Sequence, residues 1–70
     1  MKISYDPEVD AAYIRFKEGK FQVTTQRLTE DVAVNYAADG SVVGIEVLEA
    51  SKYLGNRRRP QIELENLQPA

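Results

Sequence analysis

Apolar and polar side chains alternate along most of this chain, and turn-forming residues interrupt the alternation at short intervals. Such period-two patterning predicts short antiparallel strands, because successive side chains of an extended chain point to opposite faces. Residues 2–5 form the first predicted strand, with Ile3 and Tyr5 on one face. Asp6-Pro7-Glu8 then carries turn chemistry: the aspartate can accept backbone N–H groups, and the proline ring presets φ. The same residues also suit one helical turn over residues 7–10, with Asp6 as N-cap and Pro7 at the first helical position. Residues 11–17 predict a second strand, with Ala12, Ile14 and Phe16 on one face and Tyr13, Arg15 and Lys17 on the other. Glu18-Gly19-Lys20 predicts a tight turn in which Gly19 takes positive φ. A third strand over residues 21–28 is rich in threonine and glutamine, which suits a sheet edge.

Thr29-Glu30-Asp31 breaks the pattern, and Val32, Val34 and Tyr36 then alternate with Ala33 and Asn35 as a fourth strand. Asp39-Gly40 is the strongest hairpin signal in the chain and leads into a fifth strand over residues 42–48. Residues 50–54 predict one helical turn closed by Gly55 as C-cap. Residues 56–60 form a linker, and residues 61–67 alternate Ile62 and Leu64 with Glu63 and Glu65. That last segment suits a sixth strand of the same sheet or an extension laid on a partner's edge. The expected fold is therefore mainly β. It is a single small antiparallel β-meander sheet of five to six strands, curled, with one short helical turn near residues 50–55. A β-meander domain over residues 1–55 would precede an extension over residues 56–70.

One face of that sheet collects Ile3, Tyr5, Ile14, Phe16, Val34, Tyr36, Val43, Ile45 and Val47. A single sheet cannot hide such a face, so curling and homodimerisation are the expected cover. Composition sharpens this expectation. Seventy residues make one domain at most, with a thin margin of stability. With no cysteine and no histidine, the chain lacks disulfides, thiolate zinc sites, the commonest transition-metal ligand and the commonest acid–base catalyst. Packing and association remain.

The net charge of −2 speaks against a general nucleic-acid binder. No apolar stretch approaches the roughly 20 residues that span a bilayer. The opening Met1-Lys2-Ile3-Ser4-Tyr5-Asp6 has no apolar signal region, so a cytoplasmic location is expected.

Three segments together resemble a known family. Residues 5–14 (YDPEVDAAYI) are similar to its opening signature, residues 39–51 (DGSVVGIEVLEAS) to its second, and Val32-Ala33-Val34-Asn35-Tyr36 to the strand between them. The family is the bacterial domain-of-unknown-function family 2283, and the resemblance covers about residues 1–54. It implies no activity. Such proteins are sometimes encoded beside toxin-like ribonucleases, so the resemblance implies an antitoxin-like protein partner. The domain usually ends soon after Ala50-Ser51, which leaves residues 56–70 outside the likeness.

Candidate chemistry is sparse. Asp6, Glu8 and Asp10 cluster in one turn, with Glu46 and Glu49 near the end of the fifth strand. A calcium or magnesium ion would need several such oxygens to converge. The spacing lacks the Asp-x-Asp-x-Asp-Gly loop pattern, so the preference of acidic residues for turns and helix starts explains it better. Tyr5, Tyr13, Tyr36 and Tyr53 beside acids suit packing with a wet hydroxyl better than proton transfer. Ser51-Lys52 has no second motif element, and no glycine-rich phosphate loop is present. No cofactor, metal or catalytic residue is therefore assigned. The expected contact residues for a small protein partner are Arg57, Arg58 and Arg59, whose guanidinium groups pair acidic groups bidentately, and the apolar Ile62, Leu64 and Leu67.

Overall fold

The computed structural model describes residues 1–55 together with Leu64 and Glu65. It is mainly β, as the alternation predicts: β1 (Lys2–Asp6), β2 (Ala11–Arg15), β3 (Thr24–Arg27), β4 (Val32–Tyr36) and β5 (Val42–Leu48) form one antiparallel sheet, followed by a single turn of helix, α1 (Ser51–Leu54). Of the expected sixth strand over residues 61–67, Leu64 and Glu65 are described and are not in a strand, and the rest lies outside the described residues.

The strands do not lie in chain order. Their order is β1-β2-β5-β4-β3, so β2 pairs with β5 and not with β3 as a simple meander requires. Gly19 takes the expected positive φ, 103°, but Glu18-Gly19-Lys20 does not join two paired strands. It belongs to a connection over residues 16–23 that carries the chain from one side of β5 to the far edge of the sheet. Composition explains the choice. All four residues of β3 are exposed and polar, and an edge place with a solvated outer side costs them little. The apolar β5 takes the centre, where both of its edges are paired. The edge position expected for the third strand is thus observed, in a strand shorter than the pattern suggested. The sheet stays open, with β1 and β3 as its edges.

Turn chemistry sets the other connections. The Asp6 carboxylate accepts the Glu8 N–H at 3.0 Å, closing the predicted turn after β1. Between β4 and β5 the chain reverses at Gly40, whose φ of 86° requires a residue without a Cβ clash. Asp39 Oδ1 accepts from the Ser41 N–H at 2.9 Å and from its hydroxyl at 2.6 Å, which fixes the register of that hairpin.

Register places the predicted apolar residues on one face. Ile3, Ile14, Ile45 and Val34 stand directly opposite one another across four strands, and Tyr5, Ala12, Val47 and Val32 form the next row. Ala12, Val34 and Val43 are buried, but Ile14, Ile45 and Val47 at the centre are only half-buried and Phe16 is 45% exposed. No large side chain among the described residues is completely buried. Most globular domains close such a face with a second layer. Among the described residues only the four-residue α1 lies outside the sheet as regular structure, and none of its residues is buried. None of the helices is long and apolar enough to cross a membrane, among the described residues.

Candidate functional site

The chemistry of the molecule concentrates where the turn after β1, the turn before β4 and the end of β5 meet. Two residues there, Asp10 and Glu49, hold left-handed backbones, with φ of 54° and 49°. Each reverses the chain at the same end of the sheet. Asp10 closes the turn into β2, and Glu49 turns β5 into α1. Their neighbours lock together: the Ala50 N–H donates to the Asp10 carbonyl at 2.8 Å, and Ala50 is completely buried.

Asp10 is the one charged side chain buried among the described residues, at 4% exposure. Its Oδ1 accepts from the Tyr5 hydroxyl at 2.7 Å and from the Ser51 N–H at 3.0 Å, and its Oδ2 accepts from the Ser51 hydroxyl at 2.6 Å. A carboxylate taken from water needs such donors, since burial without them costs several kcal/mol (about 2–7 for a neutral polar group and more for a charge). Asp10 therefore fastens β1 and the start of α1 to one point, across a sequence separation of 41 residues.

A second carboxylate holds the other side of α1. Asp31 Oδ2 accepts from Lys52 Nζ at 3.0 Å and from the Tyr53 hydroxyl at 2.8 Å, and the Asp31 carbonyl accepts the Leu48 N–H at 2.7 Å. Hydrogen bonds from Lys52 and then Tyr53 hold Asp31 below its ordinary 3.8. The same contact with Asp31, followed by one with Glu49, raises Lys52 above its ordinary 10.5, and Asp31 likewise raises Tyr53 above 10.0. The signs define a pH window. Asp31, lowered on folding, supports the folded state above about pH 4 and loses that support as pH falls through its folded value. Lys52 and Tyr53, raised on folding, lend support below about pH 10 and lose it as pH climbs through their folded values. The amide signals of residues 51–54 should stay constant between those limits and shift outside them, before the sheet itself unfolds. Signals that move steadily across the neutral range would contradict this clamp.

The opposite face of the sheet is polar and equally organised. Thr25 Oγ1 donates to Asn35 Oδ1 at 2.6 Å, and Asn35 Nδ2 donates to the Tyr13 hydroxyl at 3.0 Å. This chain runs from β3 through β4 to β2, although β5 lies between the last two. Gly44 makes the crossing possible. A Cβ built there would fall 2.6 Å from the Tyr13 ring carbon Cε1, so the ring occupies the space a side chain would fill. One row along, Arg27 and Glu46 meet at 3.4 Å across the small, buried Ala33 that stands between them in the register.

The residues singled out from sequence divide among these places. Asp6 and Glu46 line an open depression of about 290 Å³ on the polar face, whereas Asp10 serves the clasp at Ser51 and does not join them. Among the described residues no group of three or more carboxylates converges as a metal site would require. Ser51 is held by Asp10 and does not line that depression, and Tyr5 and Tyr53 each donate to a carboxylate. Arg57, Arg58, Arg59, Ile62 and Leu67 lie outside the described residues, and Leu64 is 84% exposed. Sequence reasoning missed the structural role of Asp10. The available signal was an aspartate closing a turn directly before an apolar strand, a position that favours left-handed backbone.

The family model described as "Protein of unknown function (DUF2283)" matches residues 2–51, more than two thirds of the chain. The chain belongs to this family. The stretch matched as DUF2283 runs from the start of β1 to Ser51, so it includes all five strands and both partners of the Asp10–Ser51 clasp. Comparisons with curated proteins and with solved structures found no match.

Proposed function

We propose that this DUF2283 protein acts by binding another protein through the apolar face of its sheet, with a second copy of the chain as the first occupant. One observation carries the reading. Ile14, Ile45 and Val47 sit at the centre of a five-stranded sheet and are only partly buried, with Phe16 open beside them. Side chains of this kind stabilise a molecule when covered, by about 25 cal/mol for each Å² of apolar surface removed from water. A partner surface can supply the second layer that the described residues do not provide. The clasps at Asp10 and Asp31 support the same reading, since they keep the face rigid before binding. An antitoxin-like pairing with a toxin-like ribonuclease is the specific form that the family resemblance suggests. Arg57, Arg58, Arg59, Ile62, Leu64 and Leu67 are proposed as its additional contacts.

Light scattering on the purified full chain at high micromolar concentration tests the first occupant, and a dimer is expected. Phe16 is exposed, so Phe16→Ser should leave the sheet folded while weakening the association about tenfold or more. Purification from the native host, followed by mass measurement of the assembly, tests for a different protein on the same face. A wild-type chain that stays monomeric and carries no second protein overturns the proposal.

A further inference from the structure

The polar face carries a second feature that the protein-binding reading does not use. The connection over residues 16–23 runs past one end of the sheet and encloses, with that face, an open groove of about 340 Å³. Tyr13, Arg15 and Asn35 line its floor, and Lys20 and Phe21 its rim. No acidic residue lines it, although acids outnumber bases in the whole chain by 11 to 9. Lys2 stands opposite Arg15 in the register of β1 and β2, on the same face, and adds a third positive charge beside the groove.

The groups are arranged for use. The Arg15 guanidinium lies 5.7 Å from the centre of the Tyr13 ring, and its Nη1 donates to the Gly19 carbonyl at 3.2 Å. One edge of the guanidinium is thus fixed by the loop, while Nε and Nη2 donate to no acceptor among the described residues. Tyr13 accepts from Asn35, so its own O–H proton remains to be donated. Phe21 is 41% exposed and Val23 42%, apolar surface that the fold itself does not bury, and the Lys17 ammonium lies over the Phe21 ring, 5.6 Å from its centre. The Tyr13 ring is pinned between the Asn35 amide and the bare backbone of Gly44, which makes the floor stiff before anything binds.

We infer that this groove binds a nucleoside monophosphate unit, with the phosphate on Arg15, Lys20 and Lys2 and the base against the exposed ring of Phe21. Guanidinium and ammonium groups select a phosphate, and the donors left on Arg15 match its oxygens. An exposed aromatic ring takes a planar base by stacking, without requiring a particular one. The volume lies at the lower end of the range for small-ligand sites and suits a single nucleotide. Such a unit can come from a free mononucleotide or from the end of a single strand.

Amide spectra of the full-length protein, titrated at millimolar concentration, test the assignment. The probes are adenosine 5′-monophosphate, adenosine, inorganic phosphate and a four-residue deoxyadenosine oligonucleotide. The monophosphate should shift the signals of Tyr13, Asn35 and residues 19–21, and should do so at lower concentration than adenosine or phosphate. Arg15→Gln and Phe21→Ser should each weaken binding about tenfold, the loss expected for one charge-assisted bond or one stacked ring. Their dispersed spectra would show that both variants remain folded. If the oligonucleotide binds more tightly than the mononucleotide, the unit is the end of a strand; if it binds no better, the unit is free nucleotide. No shift with either, an equal response to phosphate or adenosine alone, or shifts on the apolar face instead would overturn the inference. The result is independent of self-association, which uses the opposite side of the sheet.

Discussion

Replacing Asp10 with alanine is expected to lower the stability of the fold by about 4 kcal/mol, a large part of what a 70-residue domain has to lose. Two losses combine. The carboxylate accepts from Tyr5, from the Ser51 N–H and from the Ser51 hydroxyl, and hydrogen bonds to a charged group contribute about 1.5–3 kcal/mol each where solvent is excluded. Tyr5 and Ser51 are only half-buried, so water recovers part of that loss and a total of about 3 kcal/mol is the reasonable figure. The rest comes from the backbone, since alanine at φ of 54° costs about 1 kcal/mol, whereas aspartate tolerates that region through its short polar side chain. Asp10→Gly separates the two, because glycine removes the hydrogen bonds and keeps the conformation without steric strain. Asp10→Asn should be mild, since the amide oxygen can still accept and the Ser51 hydroxyl can rotate to accept from the amide nitrogen. Urea unfolding followed by tyrosine fluorescence and by circular dichroism measures all three. Ser51→Ala should then cost far less in the Asp10→Ala background than in wild type, as expected for residues of one network. If the costs simply add, or if Asp10→Ala unfolds within about 1 kcal/mol of wild type, the clasp does not hold β1 and α1 together.

Much of the fold was legible because strands announce themselves locally. The alternation of Val32, Val34 and Tyr36, the Asp39-Gly40 turn and the run over residues 42–48 gave the boundaries of β4 and β5 as observed, and the shared apolar face followed from period two. What could not be read is long-range. Nothing near Gly19 says whether the chain returns beside β2 or travels to the far edge. That choice is settled by β5, which arrives later in the sequence with a more apolar surface and displaces the polar β3 from the centre. The functional surfaces follow the same division. The apolar face was visible as a list of residues. The clasp joins residues 41 apart, and the chain from Thr25 through Asn35 to Tyr13 depends on a glycine in a strand that contributes no side chain to it. Asp10 looked like one acid among several in a turn because its donors come from β1 and from beyond β5.

That glycine gives the second large effect. Gly44→Ala adds one methyl group in a strand, a change that ordinarily stabilises extended backbone by about 0.5–1 kcal/mol. Here the sign should reverse. The methyl carbon would fall 2.6 Å from Tyr13 Cε1 and closer still to the hydroxyl, so the ring must leave its place over β5 and surrender the bond from Asn35. Displacing a packed side chain costs about 1–3 kcal/mol. The lost hydrogen bond adds about 1 kcal/mol, and a net destabilisation near 2–3 kcal/mol is expected. The decisive comparison is made with Tyr13→Ala. Once the ring is gone the added methyl group meets nothing, and Gly44→Ala should become neutral or stabilising in that background. Tyr13→Phe keeps the ring and removes only the hydroxyl, so there the cost of Gly44→Ala should remain largely in place. A penalty that persists unchanged when residue 13 is alanine would mean that Gly44 is required by its own backbone and not by the tyrosine that crosses it. The same substitution should also unseat the floor of the groove, since the pinned position of the Tyr13 ring depends on the space above Gly44. Stability and nucleotide binding would then fall together at a residue that carries no side chain of its own.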